Sequence, residues 1–187
     1  MAHSGSDLIA VGFSKSPTLV LFARNIHGDY KVVPLSVSLS EAAQFVAFAP
    51  HHNLLYSAHG SRLACFTANR GILQRSVDAK RHIDALACLQ SRGAAATLND
   101  GDASLWCLAP DKNLAQTHVS DVTGATAIGQ WRDSLVALRD THLLFHNTLS
   151  KTLSSVHVGN EDGPAHLRCV DAFVLLATSN VLRCWAV

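Results

Sequence analysis

Three groups of residues in this 187-residue chain have types and spacings that invite chemistry: eleven histidines, five cysteines and a short basic run, Lys80-Arg81-His82. Histidines serve as metal ligands or proton carriers where two or three of them converge. His51-His52 stand together in a turn, too close along the chain to form a two-ligand face unaided. His142 and His146 would share one face of a helix or of a strand, but on a strand they lie roughly 13 Å apart and cannot share an ion. His118 and His157 close two similar runs, Gln-Thr-His-Val and Ser-Val-His-Val, which reads as repetition. The cysteines, at 65, 88, 107, 169 and 184, form no CxxC pair. Their odd number suits neither a disulfide framework nor a zinc ribbon, and they read as free thiols packing like small hydrophobes. There is no GxSxG elbow, and no cysteine has a His and an acidic residue beside it in a nucleophile motif. The expectation is a chain with no catalytic site, no metal and no cofactor.

The remaining charges are suited to binding. Lys80, Arg81 and His82 form the densest basic cluster, and Arg62 and Arg139 flank comparable turns. Two acids, Asp100 and Asp102, lie in the turn Asn99-Asp100-Gly101-Asp102, which has too few acidic ligands for a calcium loop and reads as a hairpin turn. These seven residues are the candidate partner-binding face. They could meet an acidic peptide or a phosphate backbone, or be ordinary solvated loop charges.

The elements that must position them are short strands. Apolar runs end in aromatics at Phe22, Phe66, Trp106, Phe145 and Trp185, spaced 44, 40, 39 and 40 residues apart. A period near 40 is the length of a four-stranded propeller blade. Each period repeats the same parts: Phe45–Phe48, Leu54–Ala58, Leu63–Thr67 and Ile72–Val77 in one, Ile83–Leu89, Ala94–Leu98, Ser104–Leu108 and Leu114–Val119 in the next. Turn residues separate them and no helix-period segment intervenes. The fold class is all-β, and a propeller is preferred to a sandwich because a sandwich needs no fixed period.

The run AAATLNDGDASLWCLAPDKNLAQTHV resembles the second half of a WD40 repeat, with Trp106 at the Trp position and Cys107 where the family has Asp. LLYSAHGSRLACFTANRGILQRSV resembles it more loosely, with Phe66 and Thr67 at those positions. The chain is thus similar to a degenerate WD40 β-propeller of about four to five four-stranded blades, and no subfamily stands out. The resemblance implies a lock between a His ahead of the innermost strand and a turn Asp, for which His82 and Asp100 are the candidates. Counted in repeat units, the chain reads as a half blade at 7–29 followed by units at about 30–67, 72–108, 114–147 and 153–187. The first blade is incomplete, lacking its innermost strand and the closing outer strand. A fragment of a longer propeller, a partner that supplies strands by β-augmentation, and a distorted first blade that closes the ring are the three explanations.

Composition narrows the function further. Hydrophobic residues make up 48% and charged residues 16%, against about 25% charged in typical domains, and the formal charge is +1. That balance gives no electrostatic reason to expect nucleic acid or an anionic membrane. No run approaches the roughly 18 apolar residues of a membrane span, and residues 1–7 lack a signal-peptide pattern. The expected function is a non-enzymatic scaffold or accessory subunit of an intracellular complex, cytoplasmic or nuclear, with protein partners. The alternatives are an accessory RNA-binding subunit that positions a catalytic partner, or a truncated product of a longer WD40 protein.

Overall fold

A computed structural model of the chain describes residues 2–3, 7–13, 15–37, 39, 41–111, 113–159, 166–170, 173–177 and 182–186. The strands form five antiparallel sheets in chain order. Sheet I contains β1 (Ala2–His3), β2 (Leu8–Phe13), β3 (Ser16–Arg24) and β4 (Tyr30–Val33). Sheet II contains β5 (Phe45–Ala49), β6 (Leu54–His59), β7 (Arg62–Thr67) and β8 (Leu73–Asp78). Sheet III contains β9 (Ala85–Leu89), β10 (Ala94–Asn99), β11 (Asp102–Leu108) and β12 (Leu114–His118). Sheet IV contains β13 (Ala127–Trp131), β14 (Ser134–Arg139), β15 (His142–Asn147) and β16 (Leu153–His157). Sheet V contains β17 (His166–Val170), β18 (Phe173–Ala177) and β19 (Leu182–Ala186). Parts of that last unit, 160–165, 171–172 and 178–181, lie outside the described residues.

Each sheet is a meander, and its first strand lies against the first strand of the next: β1 on β5, β5 on β9, β9 on β13, β13 on β17. Among the described residues the sheets therefore stack as blades in a row that is not closed into a ring. Stacking explains the composition. A middle strand of an inner blade is covered on both faces, so its period-2 alternation is lost and every position turns apolar or small. All six residues of β10, Ala94–Asn99, are buried. One face of β10, Ala96 and Leu98, packs with Leu135, Ala137 and Leu144 of sheet IV. Ala95 on its other face packs with Tyr56, Leu63 and Cys65 of sheet II. The outer strand β16 has all five residues exposed.

Two details differ from the sequence reading. Ala2 and His3 pair with Ala10 and Ile9, so the first sheet has a two-residue innermost strand where none was expected. The aromatic ladder also slips by one residue in sheet IV. The pairs Asn99↔Asp102, Thr97↔Ser104 and Ala95↔Trp106 of sheet III correspond to Arg139↔His142, Ala137↔Leu144 and Leu135↔His146. His146, not Phe145, therefore holds the Trp106 position. A one-residue slip on a strand reverses the face, so Phe145 packs with Val174 of sheet V while His146 is turned toward sheet III.

Candidate interaction surface

The hairpin tips at Gly60-Ser61, Asp100-Gly101 and Asp140-Thr141 lie at one end of sheets II, III and IV, and the connections between sheets are bonded to them. Ala79 and Ile83 donate their backbone N–H to Ser61 and Gly60, and Gly124 donates to Gly101. Asp84 N–H reaches Leu98 in the next sheet. Each connection is thus held at both ends, which fixes the positions of the side chains it carries. Asp100 and Gly101 both have positive φ, 52° and 79°, the two-residue hairpin geometry that an Asp-Gly pair favours.

Lys80 is exposed and its backbone is left-handed, φ 66°. Its N–H donates to Asp78 Oδ1 at 2.8 Å. That bond, with the Ser61 hydroxyl and the nearby charges of Arg62 and Lys80, holds the Asp78 carboxyl below its ordinary range. Arg81 Nη1 lies 3.1 Å from Asp102 Oδ2, a half-exposed pair worth under about 1 kcal/mol to the fold. His82 is exposed, and its carbonyl accepts from Asn99 Nδ2 at 2.9 Å. The expected His82–Asp100 lock does not form among the described residues. Asp84 takes its place, its Oδ2 accepting the Asp100 N–H at 2.8 Å. A carboxylate one turn into the connection already reaches the hairpin tip, so an imidazole is not needed there.

The structure brings Lys80, Arg81 and Asp102 together around a cleft of about 200 Å³, with Asn99, Gln116 and His118. His82 and Asp100 flank it in sequence. Arg62 and Arg139 are placed apart from the cleft. Arg62 opens β7 opposite Asp78 and lines a separate pocket with Val37 and Leu39 of the connection from sheet I. Arg139 ends β14 and donates to the Thr123 carbonyl at 3.4 Å, beside the connection between sheets III and IV. The seven candidate residues thus form a mixed-charge surface spread over three blade tips. With Arg81 paired to an acid, the run Lys80-Arg81-His82 is less basic than its sequence suggests.

The residues that the sequence reading missed are buried beneath these tips. Trp106 Nε1 donates to Thr97 Oγ1 at 2.9 Å, Thr97 Oγ1 donates to Asn99 Oδ1 at 3.0 Å, and Asn99 Nδ2 donates to the carbonyls of His82 and Arg81. This relay ties two strands of the blade, β10 and β11, to the connection that carries the candidate face. Its sequence signal is a Thr-x-Asn ending one strand ahead of a Trp in the next, visible only once the pairing register is known.

Chemistry elsewhere is limited. Among the described residues, no group of three or more His, Cys, Asp or Glu is placed to hold a metal ion. His142 and His157 stack edge to face with centroids 5.2 Å apart, whereas His146 is buried with Nδ1 3.0 Å from Asp121 Oδ2. That approach lacks hydrogen-bond alignment. Burial pushes the Cys65 thiol up to about 12 and raises Cys88 as well, so neither is a thiolate nucleophile at neutral pH. A cavity of about 330 Å³ beside Trp131, Phe145 and Val156 lies away from every candidate residue.

No protein-family model matches the chain, and no curated protein matches it. Among solved structures, it is similar to the β-propeller domain of Cps50 (Swd1) from Myceliophteria thermophila, with a TM-score of 0.76 and 15% identity. The match covers 100% of this chain and 64% of that one, so the chain spans less than two thirds of the propeller it matches. At that identity the likeness concerns the fold alone: these five sheets are a stretch of β-propeller.

Proposed function

We propose that this chain is a run of degenerate WD40-like blades acting as a non-enzymatic interaction module, a scaffold or accessory subunit of a larger intracellular assembly. The observation that carries this reading is the tip surface around the Lys80, Arg81 and Asp102 cleft. Its backbone is fixed by hydrogen bonds from the connections to the tips, and its charges are exposed and of both signs. A pre-ordered surface of alternating charge suits a protein partner, because complementary pairs set register and orientation more than raw affinity. It suits a nucleic acid less, since Arg81 is already neutralised by Asp102 and phosphate binding depends on unpaired cations.

The test is affinity purification of the tagged chain and of a Lys80→Glu/Arg81→Glu/Asp102→Lys variant, compared by quantitative mass spectrometry. Rim charges contribute little to the fold, so the variant should match the parent in circular dichroism and melting. The reading requires at least one stoichiometric protein to be lost selectively from the variant. Identical partner sets, or salt-sensitive RNA as the main species recovered, would overturn it.

A further inference from the structure

Sheets II and III present the same three relay positions with different residues. Pairs Ser57↔Ala64 and Leu55↔Phe66 match Thr97↔Ser104 and Ala95↔Trp106, so Phe66, Ser57 and His59 stand where sheet III has Trp106, Thr97 and Asn99. A phenyl ring has no N–H to donate. Correspondingly, Ser57 Oγ and His59 Nδ1 are buried without a hydrogen-bond partner. Ser57 is 0% exposed and His59 3%. The third such atom among the described residues is His146 Nδ1, at the Trp106 position of sheet IV. Buried polar groups are almost always paired, so unpaired ones confined to these relay positions call for an explanation.

In sheet II a pocket lies beside these positions. This pocket, of about 220 Å³, opens between sheet II and the connection that leads to it from sheet I, walled by Leu39, Phe66 and Leu73, with His59, Arg62 and Ser76 supplying polar atoms. An enclosed apolar cavity of roughly 150 Å³ accommodates benzene, so this volume suits a single ring or short branched chain with a polar head. Arg62 is exposed at the start of β7 and offers the planar fork that carboxylates fit. Two acids limit the charge. The Glu41 carboxylate sits over the tip, its Oε2 2.9 Å from where a Cβ on Gly60 would stand, and Asp78 lies across from Arg62. A dianion such as a phosphate monoester would be repelled.

We propose that this pocket binds a small monocarboxylate with a compact apolar tail, of arylacetate size, its carboxylate on Arg62 and its tail against Leu39, Phe66 and Leu73. His59 is a polar group at the pocket wall, beside the tail.

Phenylacetate is a suitable probe, titrated to about 10 mM because a fragment of that size binds in roughly the millimolar range. The readout is the aromatic carbon–proton NMR spectrum of the isotope-labelled chain. Saturable shifts are expected at Phe66 and His59. Arg62→Ala should weaken binding at least tenfold. Phe66→Trp should abolish it by filling the pocket while leaving the melting temperature unchanged or higher, which separates lost binding from lost folding. The proposal fails if phenylacetate gives no saturable shift, if neither variant alters it, or if neutral benzyl alcohol binds equally well.

Discussion

Replacing Trp106 with Phe removes one buried hydrogen bond and about three ring atoms from the seam between sheets II and III. Trp106 is 4% exposed and packs with Tyr56, Leu63 and Cys65 of the neighbouring sheet, so the lost atoms leave a void that water cannot fill. At about 0.8 kcal/mol for each buried methylene-sized group, the lost burial costs roughly 2 kcal/mol. Thr97 keeps its donation to Asn99 but loses the indole N–H that its oxygen accepts. That half-orphaned hydroxyl adds about 1 kcal/mol, the low end of the range for an unsatisfied buried group. The sum, about 3 kcal/mol, corresponds to a melting temperature lower by roughly 6–12 °C in a domain of this size. The assay is urea unfolding of the parent, Trp106→Phe, Thr97→Val and the double variant. If the relay is real, the two single costs are non-additive by about 1 kcal/mol, because either change already breaks the shared bond. A coupling under about 0.3 kcal/mol would show that Trp106 acts through bulk alone and would refute the relay argument.

Three further outcomes follow from the same structure. Phe66→Trp should raise stability by about 1 kcal/mol by giving Ser57 Oγ a donor and occupying adjoining space; a loss of stability would mean that the pocket cannot admit the larger ring. Gly71 has φ 62°, and a Cβ there would stand 2.6 Å from the Pro34 carbonyl oxygen, so Gly71→Ala should cost about 2 kcal/mol or more in chemical denaturation. Its backbone carbonyl also accepts the Ser36 N–H, which holds the connection from sheet I on sheet II. Burial, reinforced by Arg62 and opposed by Glu41, lowers the His59 pKa below its ordinary 6.5. The folded state then binds fewer protons than the unfolded chain, so stability is undiminished above about pH 6.5 and falls as pH drops below it. His59→Gln should flatten that slope in urea midpoints measured across the range; an unchanged slope would assign it to another group.

Much of the architecture was legible because it is written in period. Strand-length apolar runs, Asp-Gly turn chemistry and a 40-residue spacing are local signals, and the hairpin at Asp100-Gly101 has the geometry that its residues favour. The candidate face was legible only as a set of charges. That Arg81 is consumed by Asp102 while Arg62 belongs to another pocket depends on how the connections cross from sheet to sheet, and sequence distance does not report it.

By itself, the sequence determined that this chain is all-β, built from repeats and too poor in charge to leave its middle strands in water. Register was left to the tertiary structure. Phe145 and His146 are neighbours, and either could have faced sheet III; the pairing of Leu135 with His146 decided it. The physical reason is that a strand covered on both faces has lost the alternation that would reveal its register, so only packing against two neighbours at once can choose it.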